Sequence, residues 1–157
     1  MSPTRNDCFI IVNPHAGSGK TLARWNVASA RLDAHSVPYK AVFTSCKHHA
    51  EKLAREAAAE GWRTIIAVGG DGSVHEMFTG VLDWCAQTDT DPGEFRLGVI
   101  PIGSGNDWIR SLGIPHDVRR VVDMIAAQSY GRQDVIKVSD AAGKVSYMAN
   151  IGGAGFD

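Results

Sequence analysis

Residues 64–76 read Thr64-Ile65-Ile66-Ala67-Val68-Gly69-Gly70-Asp71-Gly72-Ser73-Val74-His75-Glu76. The apolar run Thr64 to Val68 has the length and β-branching of a buried strand. Glycines on both sides of one aspartate end it. Val74, Met77, Phe78, Val81 and Leu82 then recur at i, i+3, i+4, i+7 and i+8, the spacing of a helix with one apolar face. The stretch is strand, glycine turn, helix. Such a turn leaves backbone N–H groups at the positive end of a helix, where anions are stabilised. Glycine carries no Cβ to hold a ligand away. The stretch reads as a cradle for a polyphosphate, with Asp71 beside it.

The same alternation extends outward on both sides. Upstream, Cys8 to Val12 is a short apolar run, followed by the turn Asn13-Pro14-His15-Ala16-Gly17-Ser18-Gly19-Lys20. A helix is expected from there to about Leu32, with Leu22, Trp25, Ala28 and Leu32 inward. Pro38 to Phe43 reads as a second strand. Thr44-Ser45 offers hydroxyls to cap the next helix, which carries Ala50, Leu53, Ala54, Ala57 and Ala58 at helical spacing and ends at Gly61. Downstream, a helix over 73–85 and a polar loop over 87–94 lead to a strand over 95–100. Pro101-Ile102-Gly103-Ser104-Gly105-Asn106-Asp107 is a third glycine turn before a short helix with Trp108, Ile109 and Leu112. A further helix spans Asp117 to Ala127, with Val118, Val121, Val122 and Ile125 inside. Then the period changes. Gln133 to Ser139 and Val145 to Ile151 are expected as two strands of a hairpin across Asp140-Ala141-Ala142-Gly143.

Strands alternating with helices over residues 8–128 predict an α/β fold with a mostly parallel sheet. In open sheets of this kind ligands bind beyond the carboxyl ends of the strands. The turns at Asn13, Gly70 and Gly103 all fall there, and that convergence outweighs any single glycine.

The 157 residues fit one domain with a real core. A net charge of −1 argues against a nucleic-acid partner held by phosphate neutralisation. Cys8, Cys46 and Cys85 form no CxxC pair, so neither a zinc site nor a disulfide framework is expected. Reduced thiols of a cytoplasmic protein are the simpler reading. Met1 to Asp7 lacks the apolar core of a signal peptide. No run approaches the ~20 apolar residues of a membrane span. If this chain meets lipid, it is expected to do so at a surface.

Two common phosphate-binding motifs fail. The dinucleotide pattern G-x-G-x-x-G has Leu22 at its third glycine, and the Walker A pattern ending at Gly19-Lys20-Thr21 has Pro14 at its first. What the chain does have is Asn13-Pro14-x-x-Gly17-x-Gly19-Lys20, then Gly69-Gly70-Asp71-Gly72-Ser73-x-x-Glu76-x-x-x-Gly80, then Pro101-x-Gly103-Ser104-Gly105-Asn106-Asp107. In that order, over residues 8 to 157, it resembles the catalytic domain of the diacylglycerol kinase and sphingosine kinase superfamily, especially the bacterial soluble lipid kinases. NAD kinases and phosphofructokinases share the GGDG loop, but the Asn-Pro and Gly-Ser-Gly-Asn-Asp turns favour the lipid kinases. Ser73 and Ser104 stand where many relatives have threonine, which keeps the hydroxyl.

The resemblance implies a Rossmann-like nucleotide-binding domain over residues 1–130, similar to phosphofructokinase and NAD kinase. Residues 131–157 would then be a hairpin and crossover toward a β-rich second domain that this chain lacks, so the sequence is expected to be a fragment. It implies an ATP site lined by Asn13, Pro14, His15, Ala16 and Gly17, by Thr44, by Gly70, Asp71, Gly72, Ser73, Val74, His75 and Glu76, and by Ser104. Asp71 would serve as catalytic carboxylate, either as a ligand of Mg²⁺ beside the phosphates or as the base that activates the acceptor hydroxyl. The metal role is preferred. The implied partners are ATP and a lipid such as diacylglycerol, met at a membrane surface by a cytoplasmic protein. A kinase of NAD or a sugar phosphate, and a non-catalytic nucleotide-binding module, are the alternatives.

Simpler roles stand beside these. Ser73-x-x-Glu76 and Ser104-x-x-Asp107 have the form of capping boxes. Asn106 suits a left-handed turn. His48 and His49 are expected on the surface, Arg119-Arg120 on a solvated helix face, and Trp25, Trp62, Trp84 and Trp108 in core or interface.

Overall fold

A computed structural model describes residues 2–102, 105–143 and 145–149. Strands β1 (Cys8–Val12), β2 (Tyr39–Phe43), β3 (Thr64–Gly69) and β4 (Arg96–Pro101) form a parallel sheet in the spatial order β2-β1-β3-β4. Helices α1 (Thr21–Ala34), α2 (His49–Ala59) and α3 (Asp71–Thr88) connect them. After β4 come α4 (Asp107–Ser111) and α5 (Val118–Ala126). Strands β5 (Ile136–Ser139) and β6 (Val145–Met148) form a separate antiparallel hairpin. The expected α/β fold with a parallel sheet is what the chain adopts.

The strand order dictates the layers. The chain steps one way from β1 to β2, and the other way from β2 to β3 and from β3 to β4. Right-handed crossovers therefore put α1 on one face and α2 and α3 on the other. Side chains alternate across the strands accordingly. Phe9, Ile11, Ile65, Ala67 and Val99 pack with α2 and α3, whereas Ile10, Val12, Ile66, Val68 and Ile100 pack with α1 and α5. Central strands buried on both faces need continuous apolar runs, hence CFIIV and TIIAV. Each fully buried Ile or Val contributes roughly 1.5–3 kcal/mol.

Several local expectations are corrected. Leu22 is 52% exposed, and fully buried Thr21 takes the inward place. Helix α1 starts at Thr21, so Thr21, Trp25, Ala28 and Leu32 form its buried stripe and Leu22 falls beside it. Thr44 and Ser45 do not cap α2, which begins only at His49; Thr44 instead extends the sheet, its N–H donating to Val12 O at 2.9 Å. Helix α3 starts two residues early, at Asp71, so Ser73 and Glu76 lie inside it and form no capping box. The hairpin strands are shorter than expected, and the part of the second one from Asn150 lies outside the described residues. Trp25 and Trp108 are core residues, and Trp62 and Trp84 are half-buried against the α2–α3 face.

Candidate functional site

Register brings the turns together. Val12 pairs with Phe43 and Val68, and Gly69 pairs with Pro101, so all the parallel strands end at one level. The residues that follow continue the ladder. Asn13 N–H donates to Val68 O at 3.0 Å, and Ile102 N–H donates to Gly69 O at 2.9 Å. The chain leaves β1 and β3 in opposite lateral directions, which makes the gap between their carboxyl ends the topological switch point. The turns starting at Asn13 and Gly70 flank that gap.

The first turn is tightly shaped. Asn13 Oδ1 accepts from His15 N–H at 3.0 Å. Gly17, Ser18 and Gly19 follow with φ of 60°, 52° and 83°, all left-handed. At Gly17 an added Cβ would also lie 2.7 Å from Ile102 Cγ2 and 2.8 Å from Ile102 O, so glycine is required twice over. Thr21 Oγ1 donates to Ala16 O at 2.6 Å. Its hydroxyl is committed to this loop, which agrees with rejecting the Walker motif, whose corresponding hydroxyl faces a metal.

Three side chains near the start of α3 tie the surrounding loops together. Ser73 Oγ accepts from Asn13 Nδ2 at 3.1 Å and bridges the switch point. Gly69 makes room for it, because a Cβ there would overlap Ser73 Oγ and Cβ. Asp71 reaches the third turn: Oδ2 accepts from Asp107 N–H and Oδ1 from Trp108 N–H, each at 3.1 Å. It thereby caps α4, whose N-cap residue Asn106 is left-handed, as anticipated, and makes no side-chain cap. Gly105 lies against the same carboxylate, since an added Cβ would be 3.3 Å from Oδ2. Glu76 reaches sideways to α2, where Oε1 accepts from His48 N–H at 3.0 Å and Oε2 from Ala50 N–H at 3.2 Å.

Amides remain for an anion. Ser73 and Val74 N–H turn back onto Gly70 O, while those of Asp71 and Gly72 have no backbone acceptor among the described residues. Gly72 is exposed, and an added Cβ would meet nothing within 4 Å. The space above this glycine is open.

Of the residues implied by the resemblance, Asn13 to Gly17, Thr44 and Gly70 to Glu76 gather at this edge. Val74 points into the core at 5% exposure, so only its backbone faces the turn. His75 is exposed. Ser104 lies outside the described residues. Among the described residues no three His, Cys, Asp or Glu side chains cluster as a metal cage. The sequence reading missed the partners of Asp71 and Glu76, which are backbone amides of distant segments. It also missed the tie between α4 and the hairpin region, in which Trp108 Nε1 donates to Gln133 Oε1 at 2.9 Å and Gln133 Nε2 donates to Ala149 O. The one hint in sequence was Gly105, a small residue beside the turn that Asp71 enters.

A parallel α/β sheet with glycine turns gathered at its switch point defines an open-sheet α/β ligand-binding domain. Residues 7–138 match the diacylglycerol kinase catalytic domain, and the chain belongs to that family. It is 32% identical over 154 residues to a diacylglycerol kinase of Bacillus subtilis (strain 168), a match covering 93% of this chain and 45% of that protein. A diacylglycerol kinase of Staphylococcus aureus (strain JH9) is 30% identical over 153 residues, covering 96% of this chain and 44% of the relative. The crystal structure of a diacylglycerol kinase from Bacillus anthracis str. Sterne superposes with a TM-score of 0.65 at 28% identity, over 85% of this chain and 42% of that one. The chain spans about half the length of the relatives it matches.

Proposed function

We propose that this chain is the nucleotide-binding part of a lipid kinase that passes the γ-phosphate of ATP to a lipid hydroxyl such as that of diacylglycerol. One observation carries the reading: in a chain of this kinase family, the turns after β1 and β3 flank the switch point, tied to each other through Ser73 and to the start of α4 through Asp71. ATP would lie against Asn13–Gly17, Thr44, Gly70–His75 and Ser104. The amides of Asp71 and Gly72 would hold its phosphates at the head of α3, where the helix dipole favours negative charge.

In the reaction the lipid oxygen forms a bond to the γ-phosphorus, the bond to the β,γ-bridging oxygen breaks, and ADP leaves. The hydroxyl proton passes to a base. Such transfer needs positioning and charge neutralisation more than covalent chemistry. Mg²⁺ is the implied metal: each Asp71 oxygen accepts one amide and keeps a second lone pair, and magnesium commonly takes only one or two carboxylates and completes its shell with phosphates and water. Asp71 would hold the ion, which supplies neutralisation of the phosphate charge. Asp71 also accepts the first two amides of α4.

Within this proposal residues 1–130 hold the nucleotide and residues 131–157 begin the crossover to a second domain. Lipid is met at a membrane surface by a peripherally attached cytoplasmic enzyme. Among the described residues no helix is long and apolar enough to cross a membrane.

Calorimetry with ATP and Mg²⁺ tests the nucleotide part on this chain, and absence of binding overturns it. Labelled ATP with the full-length gene product tests the acceptor, with diacylglycerol in micelles against NAD and sugar phosphates. Labelled lipid is expected. Labelled NAD without labelled lipid overturns the lipid assignment.

A further inference from the structure

We propose that Glu76 is a positioning residue that makes the 44–48 segment a wall of the nucleotide site and does not itself contact the nucleotide. The inference rests on the nucleotide reading above and deepens it. Asp71 and Glu76 are five residues apart on α3, which separates them by about 140° around the axis. They accordingly serve different neighbours. Asp71 turns to α4, whereas Glu76 turns away to α2, where its two oxygens accept the amides of His48 and Ala50.

Helix α2 needs that carboxylate. Its N-cap residue His48 makes no side-chain cap and sits at φ 64°, a left-handed conformation that non-glycine residues adopt at a cost of about 1–2 kcal/mol. Glu76 satisfies the amides of the N-cap residue and of the second helical residue from outside the helix and sets a negative charge at its positive end. The segment before α2 is thereby held at both ends. Thr44 N–H is fixed to Val12 O, and His48 N–H to Glu76. Between them, Ser45 N–H donates to His49 Nδ1 at 3.0 Å and closes the segment on itself. Thr44 is 7% exposed and starts this wall at the same level as Asn13 and Gly69. Removing the Glu76 anchor frees the far end of the segment and lets His48 leave its strained conformation.

The experiment combines amide hydrogen exchange with ATP calorimetry on wild-type chain, Glu76→Ala, Glu76→Gln and the double variant Glu76→Ala/His48→Gly. Glycine takes a left-handed φ without penalty, so it relieves the strain that Glu76 otherwise holds. In Glu76→Ala, exchange at residues 48–50 is expected to rise without nucleotide, and ATP affinity to fall about tenfold through the lost charge-assisted bonds. Glu76→Gln keeps one acceptor oxygen and is expected to fall between, which retains a readout if the alanine variant folds poorly. His48→Gly in the alanine background is expected to recover affinity to within about threefold of wild type. Weaker binding with exchange at 48–50 unchanged, or no recovery by His48→Gly, overturns the proposal in favour of direct contact. Faster exchange with unchanged affinity overturns the wall. If the wild-type chain binds no ATP, the nucleotide reading falls and this proposal with it. If it binds and all variants bind alike, only this proposal falls.

Discussion

Asp71 has two tasks that two substitutions separate. Its carboxylate accepts the first two amides of α4, and in the proposed kinase it also stands beside the phosphates. Asp71→Asn keeps an acceptor oxygen without the charge. In the full-length gene product it is expected to lose phosphate transfer and about half the stability that Asp71→Ala loses, whereas Asp71→Ala loses transfer and also about 1–2 kcal/mol from the uncapped amides. An Asp71→Asn enzyme with wild-type turnover would confine the residue to capping α4. Gly72 is the complementary probe. A Cβ there meets nothing, so Gly72→Val is expected to change stability by no more than ~0.5 kcal/mol while weakening ATP binding at least about tenfold by occupying the phosphate space. Thermal melting and calorimetry on the same sample check both halves. That Asp71 and Gly72 belong to a glycine turn at the head of a helix was legible in the sequence, because glycine spacing and helix onset are local properties. That the Asp71 oxygens would each hold an amide 36 or 37 residues away was not.

Helix pairs carry two further expectations. Gly80 lets α3 touch α2, since a Cβ there would overlap Glu51 O. The obstacle is backbone and cannot rotate aside. Gly80→Ala gains about 1 kcal/mol of helix propensity but is expected to lose more to overpacking, for a net loss of about 1–2 kcal/mol by urea denaturation. On the other face Asp123 of α5 clasps α1, with Arg31 Nε and His35 Nε2 each 2.7 Å from its Oδ1. Hydrogen bonds from Arg31 first, and then His35, lower its pKa from 3.8 to about 2. A carboxylate depressed on folding contributes stability above its unfolded pKa and loses it as pH falls through the folded one. The melting-temperature difference between wild type and Asp123→Asn is therefore expected to be full above about pH 4 and to vanish toward about pH 2. A difference that stays constant across that range rules out the clasp. Helix existence was readable from the 3.6-residue period. Which residue starts a helix, or faces inward in its first turn, was not, as Asp71 in place of Ser73 at the start of α3 and Thr21 in place of Leu22 on the inner face of α1 demonstrate. A shift of one or two residues in onset changes the buried stripe or the cap while leaving the period intact.

The layered architecture as a whole is open to a simple chemical test. Cys8 is buried under α1 and α5, Cys85 is buried on the α2–α3 face, and Cys46 is exposed in the 44–48 segment. Desolvation pushes the Cys8 and Cys85 thiols up to about 11, which leaves little thiolate to react. Alkylation of the native chain is expected to modify Cys46 alone, and alkylation after denaturation all three, read by intact mass. Early labelling of Cys8 or Cys85 would contradict burial on the corresponding face. The sequence by itself determined the alternation of strand and helix, the parallel α/β class and the glycine turns at the carboxyl ends of the strands. These follow from apolar period, chain reversal and backbone sterics, which act between near neighbours in the chain. Only the tertiary structure decided what the polar residues of those turns do. Asn13 meets Ser73 across 60 residues, and Glu76 meets His48 across 28. Those pairings depend on strand order and on crossover handedness, which bring distant amides within hydrogen-bond reach of a carboxylate and leave no trace in the local pattern.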